Sequence, residues 1–79
     1  MIINREVSKP IYLQVADYLR NGIYAEEWGK GEKIPSENQI MADLEVSRGT
    51  VKKAVNMLVE EGLLQQIQGK GTYVTEGNI

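Results

Sequence analysis

Apolar residues recur along this chain at two different periods, and the change of period divides it into elements. Tyr12, Val15, Ala16, Leu19 and Ile23 follow helical spacing, which predicts a helix over about 10–25. Ser8 is placed to cap it, and Pro10 to sit in its first turn, where a missing N–H costs nothing. The stretch from Glu26 to Gly31, with two glycines, breaks it. A residue before proline is driven out of the helical region, so Lys33-Ile34 is expected to form a short strand ahead of Pro35. Ser36 opens a second helix, with Gln39 as its capping-box partner. Ile40, Met41 and Leu44 make its apolar side, and it stops near Leu44. Ser47 caps a third helix, in which Val51, Ala54, Val55 and Leu58 stand at i, i+3, i+4 and i+7. Gly62 stops that helix. Beyond it, Leu64–Gln68 and Gly71–Thr75 are expected to pair as strands around Gly69-Lys70.

The order is helix, short strand, helix, helix, hairpin, with two or three residues between the second and third helices. This predicts an α+β fold, a small winged helix-turn-helix of three helices plus a short β-hairpin wing. Residues 1–9 form a polar lead-in, 10–75 the folded domain, and 76–79 the start of a linker or tail. No internal repeat or low-complexity segment interrupts the pattern.

The third helix has two faces. Opposite its apolar stripe, Arg48, Gly49, Lys52, Lys53 and Asn56 share an arc of roughly 140° at the helical period. A plain amphipathic surface helix has such a face too. The short helix and tight turn before it, and the position of its basic residues near the N-terminus, favour a recognition helix in a DNA major groove. Arg48 has the donor fork to meet guanine O6 and N7. Thr50 suits a phosphate or a thymine methyl, Lys52 and Lys53 suit phosphates, and Gly49 allows close backbone approach. Ser36 and Ser47 are caps worth about 1 kcal/mol each that can also touch phosphate. Asn38 is either a solvated polar residue or a phosphate contact. Gly69-Lys70-Gly71 is an ordinary hairpin turn or the tip of a DNA-facing wing; it lacks the longer frame of a nucleotide phosphate loop.

Composition narrows the alternatives. Seventy-nine residues make one small domain, which buries only about 60% of its unfolded surface. With no cysteine and no histidine, disulfides, thiolate chemistry and Cys/His zinc sites are excluded, and the usual general base is missing. Glu60-Glu61 are adjacent, do not face one another on a helix, and read as a solvated helix end. No enzyme, metal or cofactor is expected. Tyr12, Tyr18, Tyr24 and Trp28 read as packing groups, with Trp28 covering the end of the first helix. No apolar run approaches the roughly 18 residues of a membrane span and no signal-peptide pattern opens the chain, so a cytoplasmic protein is expected.

The net charge of −2 argues weakly against nucleic acid, but its distribution does not. Residues 1–45 sum to −3, residues 46–75 to +2, and no acid lies between Val46 and Val59. A winged-helix module that binds protein rather than DNA is the alternative, favoured only by the acidic total.

With these residues in place, the chain resembles the N-terminal winged helix-turn-helix of the GntR family of bacterial transcription regulators. The resemblance runs from about Pro10 to Val74. It includes Pro10-Ile11-Tyr12, Ile34-Pro35-Ser36-Glu37, Ser47-Arg48-Gly49-Thr50-Val51, Glu61-Gly62-Leu63 and Gly69-Lys70-Gly71-Thr72-Tyr73-Val74. It implies sequence-specific binding to double-stranded operator DNA, palindromic in form, by a homodimer of the full-length protein. It also implies regulation of transcription, by repression or by activation, under a small-molecule effector that binds a C-terminal domain absent from these residues. The family's base-reading Arg matches Arg48, its phosphate-contacting Thr and basic residue match Thr50 and Lys52, and its wing-tip glycine matches Gly69, flanked by Gln68 and Lys70. Two positions depart. Asn38 stands where many members carry Arg, and Glu45 stands where many have Gly in a left-handed turn.

Overall fold

The computed structural model describes residues 3–76. Three helices, α1 (Ile11–Tyr24), α2 (Glu37–Leu44) and α3 (Arg48–Glu60), precede the strands β1 (Leu64–Ile67) and β2 (Gly71–Val74). This is the expected α+β winged helix-turn-helix.

The apolar stripes meet as their spacing requires. Val15, Ala16 and Leu19 of α1, Ile40 and Leu44 of α2, and Val51, Ala54, Val55 and Leu58 of α3 form one core, closed from below by Leu64 and Val74. α1 packs chiefly on α3, and α2 also packs on α3. Burying each Val, Leu or Ile side chain among them contributes about 1.5–3 kcal/mol. Trp28 turns back over α1, meeting Tyr18 edge-on at 6.3 Å and covering Gly22 so closely that a Cβ there would overlap its ring.

Several local expectations need correction. Ser8 does not cap α1. Pro10 is itself the N-cap, with φ −54° and ψ 145°, and no side chain caps the helix. Proline disfavours the helical region for Lys9, so the chain enters extended and the Pro10 carbonyl takes the first helical bonds. The helix gives way where the Glu26–Gly31 stretch begins, as expected, though on a residue other than glycine. Glu26 takes the left-handed position at φ 61°, the Glu26 N–H donates to the Ile23 carbonyl, and the Glu27 N–H donates to the Gly22 carbonyl. The capping box at α2 is half made. The Gln39 amide donates to Ser36 Oγ at 3.1 Å, but the Gln39 side chain bonds Asp43 at 2.8 Å. Lys33 forms a single antiparallel bridge to Tyr73 rather than a strand. The Ile34 N–H adds a bond to the Thr72 carbonyl, seating Ile34 in the core. Both wing strands are one residue shorter than expected. Gln68 belongs to the turn, closed by the Lys70 N–H on the Ile67 carbonyl, and Thr75 lies past the last paired residue, its N–H on the Leu63 carbonyl.

Two joints set the geometry of the helix pair. α2 ends on Glu45, left-handed at φ 57° and ψ 50°, whose amide donates to the Met41 carbonyl as the Val46 amide does. Ser47 then caps α3 through the Thr50 amide at 3.2 Å. The lead-in is not loose. Arg5 donates to the carbonyls of Leu44 and Glu45, capping the negative end of α2 from 40 residues away. Buried Gln14 accepts from the Asn4 amide and donates to the carbonyls of Asn4 and Lys9. At the other end of α3, Gly62 (φ 83°) directs the Leu63 N–H to the Leu58 carbonyl, turning the chain into the wing.

Candidate nucleic-acid interface

The N-terminal turns of α2 and α3 and the tip of the wing face one another across an open groove of about 510 Å³. Six of the residues expected to touch DNA line it, namely Ser36, Asn38, Arg48, Gln68, Gly69 and Lys70. Ser47, Gly49, Thr50, Lys52 and Lys53 lie at the cap and first turns of α3, outside the lining of the groove.

Each position follows from local chemistry. The Ser47 cap fixes where α3 begins, so Arg48 leaves its first turn and Lys52 stands one turn later on the same side. Gly49 is exposed with nothing within 4 Å of where a Cβ would stand, so no neighbour in the fold excludes a side chain there. The Thr50 hydroxyl accepts from the Ser47 hydroxyl at 2.9 Å. Gly69 holds φ 79° in the wing turn, a conformation glycine adopts without penalty, and leaves Lys70 at the tip.

The site holds a carboxylate that the sequence pattern had not marked for this face. Glu37 Oε1 accepts from Arg48 at 3.1 Å, and its Oε2 accepts from Lys52 at 3.3 Å. Asn38 Oδ1 accepts from the other Arg48 nitrogen at 2.7 Å. One guanidinium is thus held between neighbouring residues of the preceding helix, a role for Asn38 outside the two considered from sequence. Both cations remain more than half exposed, so a phosphate or base edge can reach them. The free N–H groups at the start of α3 add a partial positive charge beside them. Lys53 stands apart. Its ammonium lies 4.0 Å from the centre of the Tyr12 ring, toward α1.

A second ionic cluster sits away from the groove. Arg20 places Nε and one terminal nitrogen on the two Glu61 oxygens, at 3.0 and 2.7 Å, and the other on Asp17 at 2.8 Å. Glu61 is therefore a tether between α1 and the end of α3, not only a solvated helix end. The bond from Arg20 holds the Glu61 carboxyl below its ordinary range. Lys9, and after it Arg20, do the same for Asp17. Among the described residues no His, Cys, Asp or Glu cluster has the form of a metal site.

A helix pair joined by a tight turn, an exposed basic start to the second helix and a wing beside it define a winged helix-turn-helix of the nucleic-acid-binding class. The sequence model of the bacterial regulatory proteins, gntR family, matches residues 11–74, and the chain belongs to that family. It is 42% identical over 71 residues to the mannosyl-D-glycerate transport/metabolism system repressor MngR of Escherichia coli, a match spanning 90% of this chain and 30% of that protein. It is 37% identical over 76 residues to the transcriptional repressor NagR of Bacillus subtilis, spanning 96% of this chain and 31% of that one. The chain thus spans about a third of the length of these relatives. Its fold superposes on AraR(DBD) in complex with operator ORX1 with a TM-score of 0.86 at 36% identity, covering 94% of this chain and 93% of that one. A second complex, with operator ORE1, gives 0.84 at 38% identity, covering 92% and 89%.

Proposed function

We propose that this chain is the DNA-binding domain of a transcriptional regulator and recognises a specific operator sequence, with α3 in the major groove and the wing around Gly69-Lys70 on the adjacent minor groove and backbone. The observation that carries this reading is the groove itself. Arg48, at the exposed start of α3, faces the wing tip across a space open to solvent. The operator complexes of AraR(DBD), whose fold this chain shares, support it.

In this reading Arg48 reads guanine as a bidentate donor. Thr50, Lys52, Lys53 and Lys70 contact the backbone, Ser36, Asn38 and Ser47 lie against phosphates at the two helix N-termini, and Gly49 and Gly69 permit close approach, with Gln68 beside the wing tip. Residues 10–75 form the DNA-binding unit, with 1–9 as its lead-in and 76–79 opening a linker. The full-length protein would be a cytoplasmic homodimer that represses transcription at a palindromic operator, with half-sites about one helical turn apart. A C-terminal domain would bind a small-molecule effector. The domain performs no catalysis in this account.

A gel-shift titration on random-sequence duplex at low salt tests the reading. A salt-sensitive shift is expected, whereas a winged-helix module that binds only protein would leave the duplex unshifted.

A further inference from the structure

Lys33 belongs to the segment joining α1 to α2, outside the helix-turn-helix and outside the hairpin. Its backbone is bridged to Tyr73, which makes that segment a third, one-residue edge on the wing. Its side chain runs across Gly71. A Cβ on Gly71 would stand 2.5 Å from Lys33 Cε and 3.4 Å from its Nζ, so the lysine stem occupies the place a side chain would fill. Gly71 also has φ 136°, unfavourable for any other residue. The wing is therefore built to let this lysine cross it, and Lys33 lines the same groove as Arg48 and Lys70.

Its charge also differs in setting from those of Arg48 and Lys52. Arg48 and Lys52 are paired with Glu37. Lys33 makes no ion pair and no side-chain hydrogen bond to any described residue. An ammonium laid over Gly71 in the lining of this open groove, without a carboxylate to neutralise it, has its charge available to an anion.

We propose that Lys33 is a further DNA-backbone contact, which clamps a phosphate between the wing and the start of α2. The proposal rests on the DNA-binding reading above. It makes the α1–α2 segment part of the interface and gives the wing a second cation beside Lys70. A phosphate contact strengthens binding to every sequence alike and leaves base discrimination to α3.

The test compares wild type, Lys33→Met and Lys33→Arg on random-sequence duplex and on one fixed duplex of unrelated sequence, across about 50 to 200 mM salt. Methionine keeps the stem over Gly71 and removes the charge. For Lys33→Met the log–log salt slope should be shallower by about 0.9, so its affinity falls about threefold less than that of wild type across this range. Binding at low salt should weaken by the same factor on both duplexes, and Lys33→Arg should restore the slope. Melting temperatures of all three should agree. A Lys33→Met slope equal to that of wild type overturns the proposal, as does a loss confined to one duplex. If wild type itself shifts neither duplex, the DNA-binding reading fails first, which is a distinguishable result.

Discussion

Glu37→Gln removes the carboxylate that holds Arg48 and Lys52 while leaving a side chain of the same size. The two pairs measure 3.1 and 3.3 Å and are well exposed on the cationic side. Pairs of this kind contribute about 0–1 kcal/mol each. Loss of an acid from the first turn of α2 costs a further 0.3–1 kcal/mol or so. Stability therefore drops modestly, and at about 4–8 °C per kcal/mol the variant remains folded at room temperature. The effect on DNA has the opposite sign. Cations already paired must leave Glu37 before they meet phosphate, and the carboxylate repels the backbone they approach. With 1 kcal/mol equal to about fivefold in affinity, binding to random duplex should tighten by about three- to tenfold. The salt slope should steepen by up to about 0.9. Discrimination should fall, because Arg48 is no longer aimed by Glu37 and Asn38 together. Fluorescence-anisotropy titrations on a selected site and on a scrambled duplex measure both. A folded Glu37→Gln domain that binds scrambled duplex no more tightly than wild type would refute the idea that this carboxylate restrains the two cations.

Three further outcomes follow from other parts of the molecule. Glu45→Gly relieves a left-handed backbone at φ 57°, worth roughly 1 kcal/mol against the extra freedom of glycine in the unfolded chain; the melting temperature should rise, and an unchanged or lower value would contradict this. Asp17 and Glu61 have carboxyls lowered by Lys9 and Arg20, so their contribution is fully present above the ordinary carboxylate range and is lost as pH falls from about 5 through their folded-state values; urea melts from pH 7 to 3 should show this loss, smaller in Arg20→Met, and identical pH profiles for the two proteins would count against it. Lys52→Ala should weaken binding to all sequences alike and flatten the salt slope by about 0.9, and an effect on one sequence only would move Lys52 from backbone contact to base contact.

The helices and hairpin were legible in the chain because their signals are local. Ser36 and Ser47 each start a helix through a bond to the amide three residues on, and Val51, Ala54, Val55 and Leu58 are buried as their spacing requires. The corrected details are those in which a local signal competed with another. The Gln39 side chain donates to Asp43 rather than reaching back to the Ser36 N–H, and past Tyr24 the chain leaves α1 through Ala25 and left-handed Glu26, ahead of the glycines. The candidate site was legible where its residues share one helix or one turn. Glu37 escaped because its partners lie 11 and 15 residues away and meet it only when α2 packs on α3. Lys33 escaped because Lys33-Ile34 reads as a short strand without showing what it pairs with, and only the bridge to Tyr73 brings it to the wing. Arg20 and Glu61 are likewise joined by packing of α1 on α3, across 41 residues.

The central claim is that α3 reads sequence through Arg48. It is tested most directly by selecting bound sites from a random duplex pool with the wild-type domain and then titrating wild type and Arg48→Ala on the recovered site and on its single-base variants. The account predicts a guanine in the half-site whose replacement costs wild type about 1–3 kcal/mol and Arg48→Ala almost nothing, with Arg48→Ala weaker on the recovered site by a similar amount. If Arg48→Ala binds that site as tightly as wild type and penalises the same base changes, Arg48 is not the reader.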